Sequence, residues 1–472
     1  MKQPIMAAEI TANIAIVKTL LTFTVIFIHR SPANSNAARF FRCPHICICS
    51  GLETQCSDAN LTRIPSPLPN TLQSLDLSGN AITYIASELN ELYGLEFANF
   101  AGNQIAVISS MAFREKSDLH ELNFSGNQLT LEAVKEAFTT GSHSTPMPSL
   151  LVLNLAENQL GPSIKGGVFT GFHNLQSLDL SANNISFIQP MALNGLLRLT
   201  DLHLRQNELT LVHSAALQSL TALQYLDLSH NPITEITKDS FPPLSELKTI
   251  ILNSMNGLGF IGAYSFSNLT ALHIVQMSGC PHLKTINETA FVGVNNLTHI
   301  YLESNALNRL DNNLFPLGSL PNKSVHIYNN PLNCDCHLEW ISNRQIHPIF
   351  AQPDLIFCQS PSALRGSKVM QLTKQDFVCN ASQDKTKTNT ETVHKETDVV
   401  GIFGIVVPTG IGLMMLILVM TVHCQKQRPR LSSYELQLWM LTRSMSYGSL
   451  REQQSVASDT TSIRTVPTVV SY

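Results

Sequence analysis

Leu175-Gln-Ser-Leu178-Asp-Leu180-Ser-Ala-Asn183-Asn-Ile185 is one copy of the phrase that decides the fold. The phrase L-x-x-L-x-L-x-x-N-x-L occurs eleven times between Leu72 and Leu332. Its Asn position is occupied in turn by Asn80, Asn103, Asn127, Asn158, Asn183, Asn207, Asn231, Met255, Cys280, Asn305 and Asn330. A unit of about 24 residues is too small to bury its own apolar face, so it must stack on its neighbours. The period therefore predicts a solenoid.

The pattern within one copy indicates a short strand. Leu178 and Leu180 alternate with polar residues, as expected for a strand with one buried face. The Asn amide can bond backbone groups of the turn that follows, where no neighbouring strand supplies a partner. A second apolar position, expected to line the opposite wall from inside, holds Phe113, Phe169, Leu193, Leu217, Phe241, Phe266, Phe291 and Phe315. We therefore predict an α/β solenoid with a parallel, concave sheet about 50 Å long.

Eight of the ten cysteines form two clusters, one before the first repeat and one after the last. The clusters are Cys43, Cys47, Cys49 and Cys56, then Cys334, Cys336, Cys358 and Cys379. The end repeats of a solenoid expose apolar surface, so we expect each cluster to close one end with disulfide bonds. A zinc site is the alternative interpretation, but paired C-x2-C spacing is missing. Four cysteines allow three pairings, and spacing alone does not choose among them.

Both clusters resemble the caps of extracellular leucine-rich-repeat proteins. The amino-terminal resemblance lies in Cys43-Pro-His-Ile-Cys47-Ile-Cys49, and the carboxy-terminal one in Asn330-Pro-Leu-Asn-Cys334-Asp-Cys336-His-Leu-Glu-Trp340. The resemblance implies a horseshoe with an amino-terminal cap at 43–70, leucine-rich repeats at 71–332 and a carboxy-terminal cap at 333–380. It also implies the pairs Cys43–Cys49, Cys47–Cys56, Cys334–Cys358 and Cys336–Cys379.

Two departures from the repeat affect the prediction. The step after Asn127 is the longest and carries an insertion at 135–148, rich in Ser, Thr, Gly and Pro, which we expect to be a surface loop. Met255 and Cys280 replace the repeat Asn, so we expect the polar ladder to be interrupted there. Because Cys occurs in this position of such repeats, we interpret Cys280 as a buried, inert thiol.

The segments outside the caps indicate the secretory pathway and a membrane. Residues 1–38 contain the apolar run Leu20–Ile28, followed by small and polar residues, which predicts a signal peptide; an uncleaved anchor is the alternative. Residues 381–398 are polar and predict a solvated stalk. Residues 399–422 carry no charge and would reach about 36 Å as a helix, enough to cross a membrane.

Positive charge after the apolar segment sets the predicted topology. Lys426, Arg428 and Arg430 follow it directly, which places residues 423–472 in the cytoplasm and the amino terminus outside. Cys424, at the inner boundary, is a candidate for palmitoylation. We therefore predict a single-pass type I protein of the plasma membrane.

Two short motifs lie in the predicted tail. Tyr447-Gly-Ser-Leu450 resembles a tyrosine-based endocytic sorting signal. Val470-Ser-Tyr472 resembles a ligand of PDZ domains, which would add a strand to a sheet edge. The tail is too short for a kinase or a Toll-type signalling domain.

Eight N-x-[ST] sequons precede the apolar segment: Asn60, Asn123, Asn184, Asn268, Asn287, Asn296, Asn322 and Asn380. All of them lie on the side that the predicted topology places outside the cell, so we expect a glycoprotein. Asn123 is expected to point outward from its strand. A glycan there would obstruct the amino-terminal half of the sheet.

The outward-facing side chains of the repeat strands, which we call the sheet face, differ between the two halves of the solenoid. Repeats one to five present mainly small or acidic groups: Ser74, Asp76, Asn99, Glu121, Asn154, Ser177 and Asp179. Repeats six to eleven present candidate ligand-binding residues: His203, Arg205, Tyr225, His230, His299, Tyr301, His326 and Tyr328. Aromatic and amphipathic groups on a rigid surface are typical of protein interfaces. The alternative is that they simply fill a solvated strand face; metal binding is disfavoured because no acidic partner recurs beside the histidines.

Composition and motifs exclude other function classes. The formal net charge is −4 and 14% of residues are charged, which does not indicate a nucleic-acid partner. No G-x-S-x-G elbow, H-E-x-x-H sequence or Gly-rich phosphate loop occurs, so we expect neither an enzyme nor a cofactor. The layout resembles single-pass leucine-rich-repeat surface receptors of the trophoblast glycoprotein family. That resemblance implies an adhesion molecule or (co-)receptor that binds an extracellular protein and recruits cytosolic adaptors; the alternative is a pericellular matrix organiser or modulator of a secreted, Wnt-type ligand.

Overall fold

The computed structural model describes residues 43–138, 147–318 and 320–379. The strands are, in chain order, β1 Ile48–Ser50, β2 Glu53–Gln55, β3 Ser74–Asp76, β4 Tyr84–Ile85, β5 Phe97–Asn99, β6 Val107–Ile108, β7 Glu121–Asn123, β8 Val152–Asn154, β9 Ser163–Ile164, β10 Ser177–Asp179, β11 Phe187–Ile188, β12 Asp201–His203, β13 Tyr225–Asp227, β14 Glu235–Ile236, β15 Thr249–Ile251, β16 Phe260–Ile261, β17 Ile274–Gln276, β18 Thr285–Ile286, β19 His299–Tyr301, β20 Val325–His326, β21 Leu332–Asn333 and β22 Cys358–Ser360. The α-helices are α1 Leu131–Phe138 and α2 Ser214–Leu217. Short 3-10 helices span Asn312–Leu314, Cys336–Ser342, His347–Ile349, Pro353–Leu355, Ser362–Leu364, Val369–Gln371 and Lys374–Asp376.

One long sheet runs along the solenoid and carries the strand of every repeat. It has 13 strands in the order β1-β2-β3-β5-β7-β8-β10-β12-β13-β15-β17-β19-β20. The hairpin β1–β2 is antiparallel, and the pairs from β2 to β20 are parallel. Each repeat stacks on the last in register, so that Leu178 lies opposite Leu153 and Leu202. The predicted parallel-sheet solenoid is confirmed.

The core is a stack of repeat leucines and phenylalanines. Leu178 and Leu180 are fully buried. The second apolar position is buried in every repeat where the sequence predicted it, from Phe113 to Phe315. In the later repeats these rings stack directly, with 5.9 Å between the ring centroids of Phe241 and Phe266 and 5.1 Å between those of Phe266 and Phe291. Short parallel pairs, among them β4 with β6 and β14 with β16, complete the turns.

The repeat asparagines hold the turns of successive repeats together. Asn103 Nδ2 donates to Leu77 O in the preceding repeat at 2.9 Å and to Phe100 O in its own repeat at 3.0 Å. Its Oδ1 accepts from the backbone N–H of Ile82 at 3.0 Å. The amide thus satisfies buried backbone groups that no strand partner reaches.

The ladder changes where the sequence departs from Asn. Met255 is fully buried and brings no amide. Cys280 is a buried free thiol whose Sγ–H donates to Leu252 O at 3.3 Å, and burial raises its pKa to about 11. A thiol that stays protonated at neutral pH is a poor nucleophile, which agrees with the interpretation of Cys280 as inert.

Disulfide bonds close both ends of the solenoid. The pairs are Cys43–Cys49, Cys47–Cys56, Cys334–Cys358 and Cys336–Cys379, which are those that the cap resemblance implies. At the carboxy end, Trp340 covers the last repeat: its Nε1–H donates to Leu310 O at 3.0 Å, and its ring lies 6.0 Å from that of Phe315.

The insertion at 135–148 differs from the predicted loop. Its first residues continue α1, whose Leu131, Val134 and Phe138 are buried. Phe138 packs on Phe113 and Phe172, with ring centroids 5.8 and 5.5 Å apart. The prediction of a surface loop is therefore wrong for residues 135–138, because one face of the helix extends the core.

The predicted signal peptide at 1–38, stalk at 381–398, membrane segment at 399–422 and tail at 423–472 lie outside the described residues, as does Asn380. Among the residues that are described, no helix is long and apolar enough to cross a membrane.

Candidate functional site

The last residue of each strand has a structural role in the first five repeats. In each, its Oδ1 accepts a hydrogen bond from the backbone N–H two residues further on, over 2.8–3.1 Å: Asp76, Asn99, Asn123, Asn154 and Asp179. Asp and Asn form such turns readily because their side chains are short. These groups point outward as the sequence predicted, but they are engaged in holding the turn.

From the sixth repeat onward the same position mostly holds other residue types. Only Asp227, among the described strand ends of this half, keeps the turn bond, to Ser229 N at 2.8 Å. The other positions hold His203, Ile251, Gln276, Tyr301 and His326. These larger side chains are half-buried, apart from the buried Ile251. The strand ends of this half are therefore available for contacts beyond the turn.

A first group of side chains, the Tyr225 cluster, consists of His203 on β12, Tyr225 on β13, and Arg205 and His230 just after these two strands. The rings of His203 and Tyr225 lie 5.0 Å apart. Arg205 Nη2 lies 3.3 Å from His230 Nε2, and Arg205 Nε is buried with no hydrogen-bond partner in the described part of the chain. Burial and the adjacent guanidinium of Arg205 both lower the pKa of His230, so its ring is neutral at pH 7. Four of the predicted ligand-binding residues thus lie together.

The phenol of Tyr225 is surrounded by carboxylates. Burial raises its pKa, and Asp227, Asp201 and Asp179 raise it further. A phenol in this setting keeps its proton and acts as a donor. Asp201 was missed in the sequence analysis, although it occupies the first outward position of β12.

A second group, the His326 cluster, spans β19, β20 and the turn after β20. Its rings form a continuous row. The centroid distances are 6.2 Å for His299–Tyr301, 4.3 Å for Tyr301–His326 and 6.3 Å for His326–Tyr328. Burial and the neighbouring His299 lower the pKa of His326 to about 4, so this ring too is neutral at pH 7. The other four predicted ligand-binding residues lie here.

Glu303 belongs to the His326 cluster and was also missed. It is 7% exposed, and its Oε2 has no hydrogen-bond partner among the described residues. Burial raises its pKa. The equivalent position is Ser78, Ala101, Ser125, Ala156 and Ser181 in the first five repeats. Comparing repeats at this position, two residues before the repeat Asn, would have set Glu303 apart from the small residues of the first five repeats, together with Arg205 and Tyr328.

Apolar side chains connect the two clusters. Ile251 on β15 and Ile274 on β17 face outward between them, and Ile251 is 7% exposed. The sheet face of repeats six to eleven therefore has aromatic and acidic ends, and between them Ile251 and Ile274 lie beside the polar Gln276. The amino half also has an aromatic pair, Phe97 and His120, whose ring centroids are 6.4 Å apart.

Possible metal ligands come together at the carboxy-terminal cap. In the described part of the chain, one group of three possible ligands comes within 4.8 Å: Cys336, His337 and Cys379. Both cysteines are joined in a disulfide bond, so neither offers a thiolate. The histidines of the sheet face do not form such a group among the described residues.

The sequons fall on exposed or half-buried positions. Asn60, Asn184, Asn296 and Asn322 are exposed, and Asn123, Asn268 and Asn287 are half-buried. Asn123 lies on β7 and faces outward, as predicted. Cys424, Tyr447, Leu450, Val470 and Tyr472 lie outside the described residues.

Family descriptions match three parts of the chain. "Leucine rich repeat N-terminal domain" matches residues 42–69, and "Leucine rich repeat C-terminal domain" matches 355–380. "Leucine rich repeat" matches residues 173–233, 197–258 and 245–307, and a second repeat description matches 69–85.

Two relatives and one solved structure are similar to this chain. Trophoblast glycoprotein of Macaca fascicularis is 25% identical over 352 residues, covering 72% of this chain and 68% of that protein. Trophoblast glycoprotein of Mus musculus is 26% identical over 355 residues, with the same coverage. A chain of the octameric complex of latrophilin 3, Unc5D and FLRT2 (LRR) gives a TM-score of 0.50 at 22% identity, covering 70% of this chain and 98% of that chain. The likeness to this solved structure shows the fold.

Proposed function

We propose that the chain, a leucine-rich-repeat protein with a cysteine cap at each end, is a cell-surface glycoprotein that binds an extracellular protein through the sheet face of repeats six to eleven. It acts as an adhesion molecule or as a signalling (co-)receptor. The single observation that carries the proposal is the row of outward rings and charged groups from His203 to Tyr328 on one sheet.

This surface suits a protein partner for three physical reasons. Tyrosine and arginine are over-represented among the residues that dominate binding energy at protein interfaces. The side chains stand on strands held in register by the sheet, so little conformational freedom is lost on binding. Ile251 and Ile274 supply an apolar centre between polar ends, as in many interfaces.

The location at the cell surface rests on segments flanking the repeats. Residues 1–38 would direct the chain to the secretory pathway, and residues 399–422 would anchor it with the caps outside. Disulfide bonds at both caps suit an oxidising compartment. The accessible sequons suit the same side of the membrane.

The tail at 423–472 would link the receptor to the cytosol. Tyr447 and Leu450 would bind a sorting adaptor, and the terminal Val470 and Tyr472 would bind a PDZ domain. Palmitate on Cys424 would hold the start of the tail at the membrane. If the protein is a receptor, deleting 424–472 abolishes its signalling or clustering. If it is a passive organiser outside the cell, its activity survives the deletion.

Proximity labelling from the intact chain on living cells tests the proposed binding. A labelling enzyme fused before Cys43 should mark one or more surface proteins. Labelling of these proteins should be lost when Tyr225, Tyr301 and Tyr328 are all changed to Ala. Tyr84→Ala is the control, because Tyr84 is a surface tyrosine, 47% exposed, that lies on β4 away from the sheet face. Identical labelling by the triple variant and the wild type, at equal surface amounts, would refute the proposal.

A further inference from the structure

We propose that Glu303 binds an arginine side chain of the protein partner, with the guanidinium held between its carboxylate and the rings of Tyr301, His326 and Tyr328. This inference rests on the proposed function and specifies the chemistry of the partner at that surface.

The first argument is a buried carboxylate with one unsatisfied oxygen. Glu303 is 7% exposed, and its Oε2 has no donor within reach in the described structure. A buried carboxylate oxygen without a donor is costly, and a cation that arrives with hydrogen-bond donors removes that cost. The equivalent Ser and Ala residues of the first five repeats carry no such group. Glu303 is thus not a requirement of the repeat.

The second argument is the position of the carboxylate within the aromatic row. Apart from burial, the Glu303 charge is a cause of the raised pKa of Tyr301 and of Tyr328, whose pKa reaches about 12. Its own pKa is raised by burial, against hydrogen bonds from its own backbone N–H and from the Ser278 side chain, which lower it. The carboxylate therefore lies close to both phenols, at the wall that the rings form.

The third argument favours arginine over lysine. Tyr301 and His326 stack on each other at 4.3 Å, whereas the Tyr328 ring is tilted by 56° to that of His326 and so is not covered by this stack. A planar guanidinium stacks on such a ring and can bond a carboxylate through two N–H groups, whereas an ammonium cannot do both. His326 is neutral at pH 7 because burial lowers its pKa, so it does not repel the cation.

The charge of the surrounding face agrees with a basic partner. Asp179, Asp201 and Asp227 surround Tyr225 further along the same face, and their influence on its pKa outweighs that of Arg205. His299, the remaining titratable neighbour on β19, stacks on Tyr301 at 6.2 Å. Complementary charge steers a partner and fixes its register.

A small probe tests this assignment without knowledge of the partner. The full chain, labelled with ¹³C in its histidine rings, is titrated with N-acetylarginine methylamide, and in parallel with the citrulline and lysine analogues. Citrulline has nearly the shape of arginine without its charge. The His326 ring signal, identified with His326→Gln, should saturate at concentrations about tenfold lower with arginine than with citrulline.

In Glu303→Gln, arginine and citrulline should saturate the His326 signal at about the same concentration, since the amide keeps the size of the side chain and loses its charge. Glu121→Gln is the matched control: Glu121 is another sheet-face carboxylate whose pKa burial raises, but it lies on β7, outside the His326 cluster. Glu121→Gln should keep the preference of the wild type for arginine over citrulline. Thermal unfolding of each variant verifies the fold, and the wild-type comparison of analogues decides the matter if Glu303→Gln does not fold.

Equal response to arginine and citrulline in the wild type, or a preference that persists in folded Glu303→Gln, overturns the inference. Lysine binding as tight as arginine binding overturns the choice of arginine. The two proposals fail separately. An arginine preference without tyrosine-dependent labelling of a surface protein refutes the proposed function, whereas labelling without an arginine preference refutes the role of Glu303.

Discussion

The last residue of each repeat strand changes its role along the chain. In repeats one to five its Oδ1 bonds the turn, as Asp76 does to Ser78 N at 2.9 Å. In repeats ten and eleven the position holds Tyr301 and His326, which stack on each other instead. The same backbone therefore carries a turn-forming column in one half and a ring-bearing column in the other. This difference explains why we place the binding surface on the carboxy-terminal half.

Tyr301 should be an anchor of that surface. Its ring contacts both His299 and His326 and faces outward from β19. Tyr301→Ala should weaken binding of the partner identified by proximity labelling by about 2 kcal/mol or more, as loss of a central aromatic anchor does. The measurement is a titration of labelled partner on cells. Tyr84→Ala should leave affinity within about twofold, and equal losses in the two variants would argue against an anchor at Tyr301.

His326 should make stability depend on pH. Its pKa is about 4 in the folded chain, lowered by burial and by His299, against 6.5 for an ordinary histidine. Between these values the unfolded chain binds a proton that the folded chain does not, so stability falls as pH falls from about 6.5 to about 4. His326→Gln should therefore lose less in thermal midpoint than the wild type between pH 7 and pH 5. The exposed His282 provides the control, and a wild-type-sized loss in both His326→Gln and His282→Gln would contradict the assignment.

The sequence predicted which side of the sheet a side chain faces more readily than it predicted which side chains surround it. Strand alternation alone placed Tyr225, Tyr301 and His326 outward. It did not indicate that Glu303 is buried among rings, because that depends on the side chains of the adjacent repeat. Lys116 is fully buried for a similar reason: its Nζ donates to Asn90 O at 3.3 Å and lies 5.4 Å from the Tyr93 ring centroid.

At the scale of elements, patterns were informative where they repeated. The leucines and the repeat Asn predicted the strands and turns, since each copy tests the others. The helix α1 leads into the single insertion and was missed, although Leu131, Val134 and Phe138 have helical spacing and are buried. The Ser-, Gly- and Pro-rich residues that follow masked this short signal.

The carboxy-terminal cap should be required for export. Cys336→Ser removes the bond to Cys379, worth about 2–4 kcal/mol, and loosens the cap that carries Trp340 over the last repeat. The surface fraction, measured by flow cytometry against total protein, should fall severalfold. Cys280→Ser should retain near-normal surface yield, because a hydroxyl can still donate to Leu252 O. Normal yield of Cys336→Ser would contradict a cap held by its disulfide.

At the scale of the whole molecule, the order of segments predicts the topology. Sequons and caps precede residues 399–422, and Lys426, Arg428 and Arg430 follow them. An epitope inserted within 381–398 should be stained on intact cells, whereas one after Tyr472 should be stained only after permeabilisation. Staining of the terminal epitope on intact cells would show the opposite orientation.

The location of the binding surface can be tested with added glycans of matched context. Gln276→Asn completes an Asn-x-Ser sequon with Ser278 on β17, between the two clusters. Ala101→Ser completes one at Asn99 on β5, in the same Asn-Phe-Ser context as the natural sequon at Asn123. Occupancy of each site is verified by the mass lost on enzymatic deglycosylation.

The deciding measurement is partner binding by these two glycan variants at equal surface amounts. A glycan on the sheet face excludes a protein from the strands around it. If the partner sits on repeats six to eleven, Gln276→Asn abolishes binding and Ala101→Ser leaves it intact. Binding that survives an occupied glycan in Gln276→Asn, but is lost in Ala101→Ser, would contradict the account.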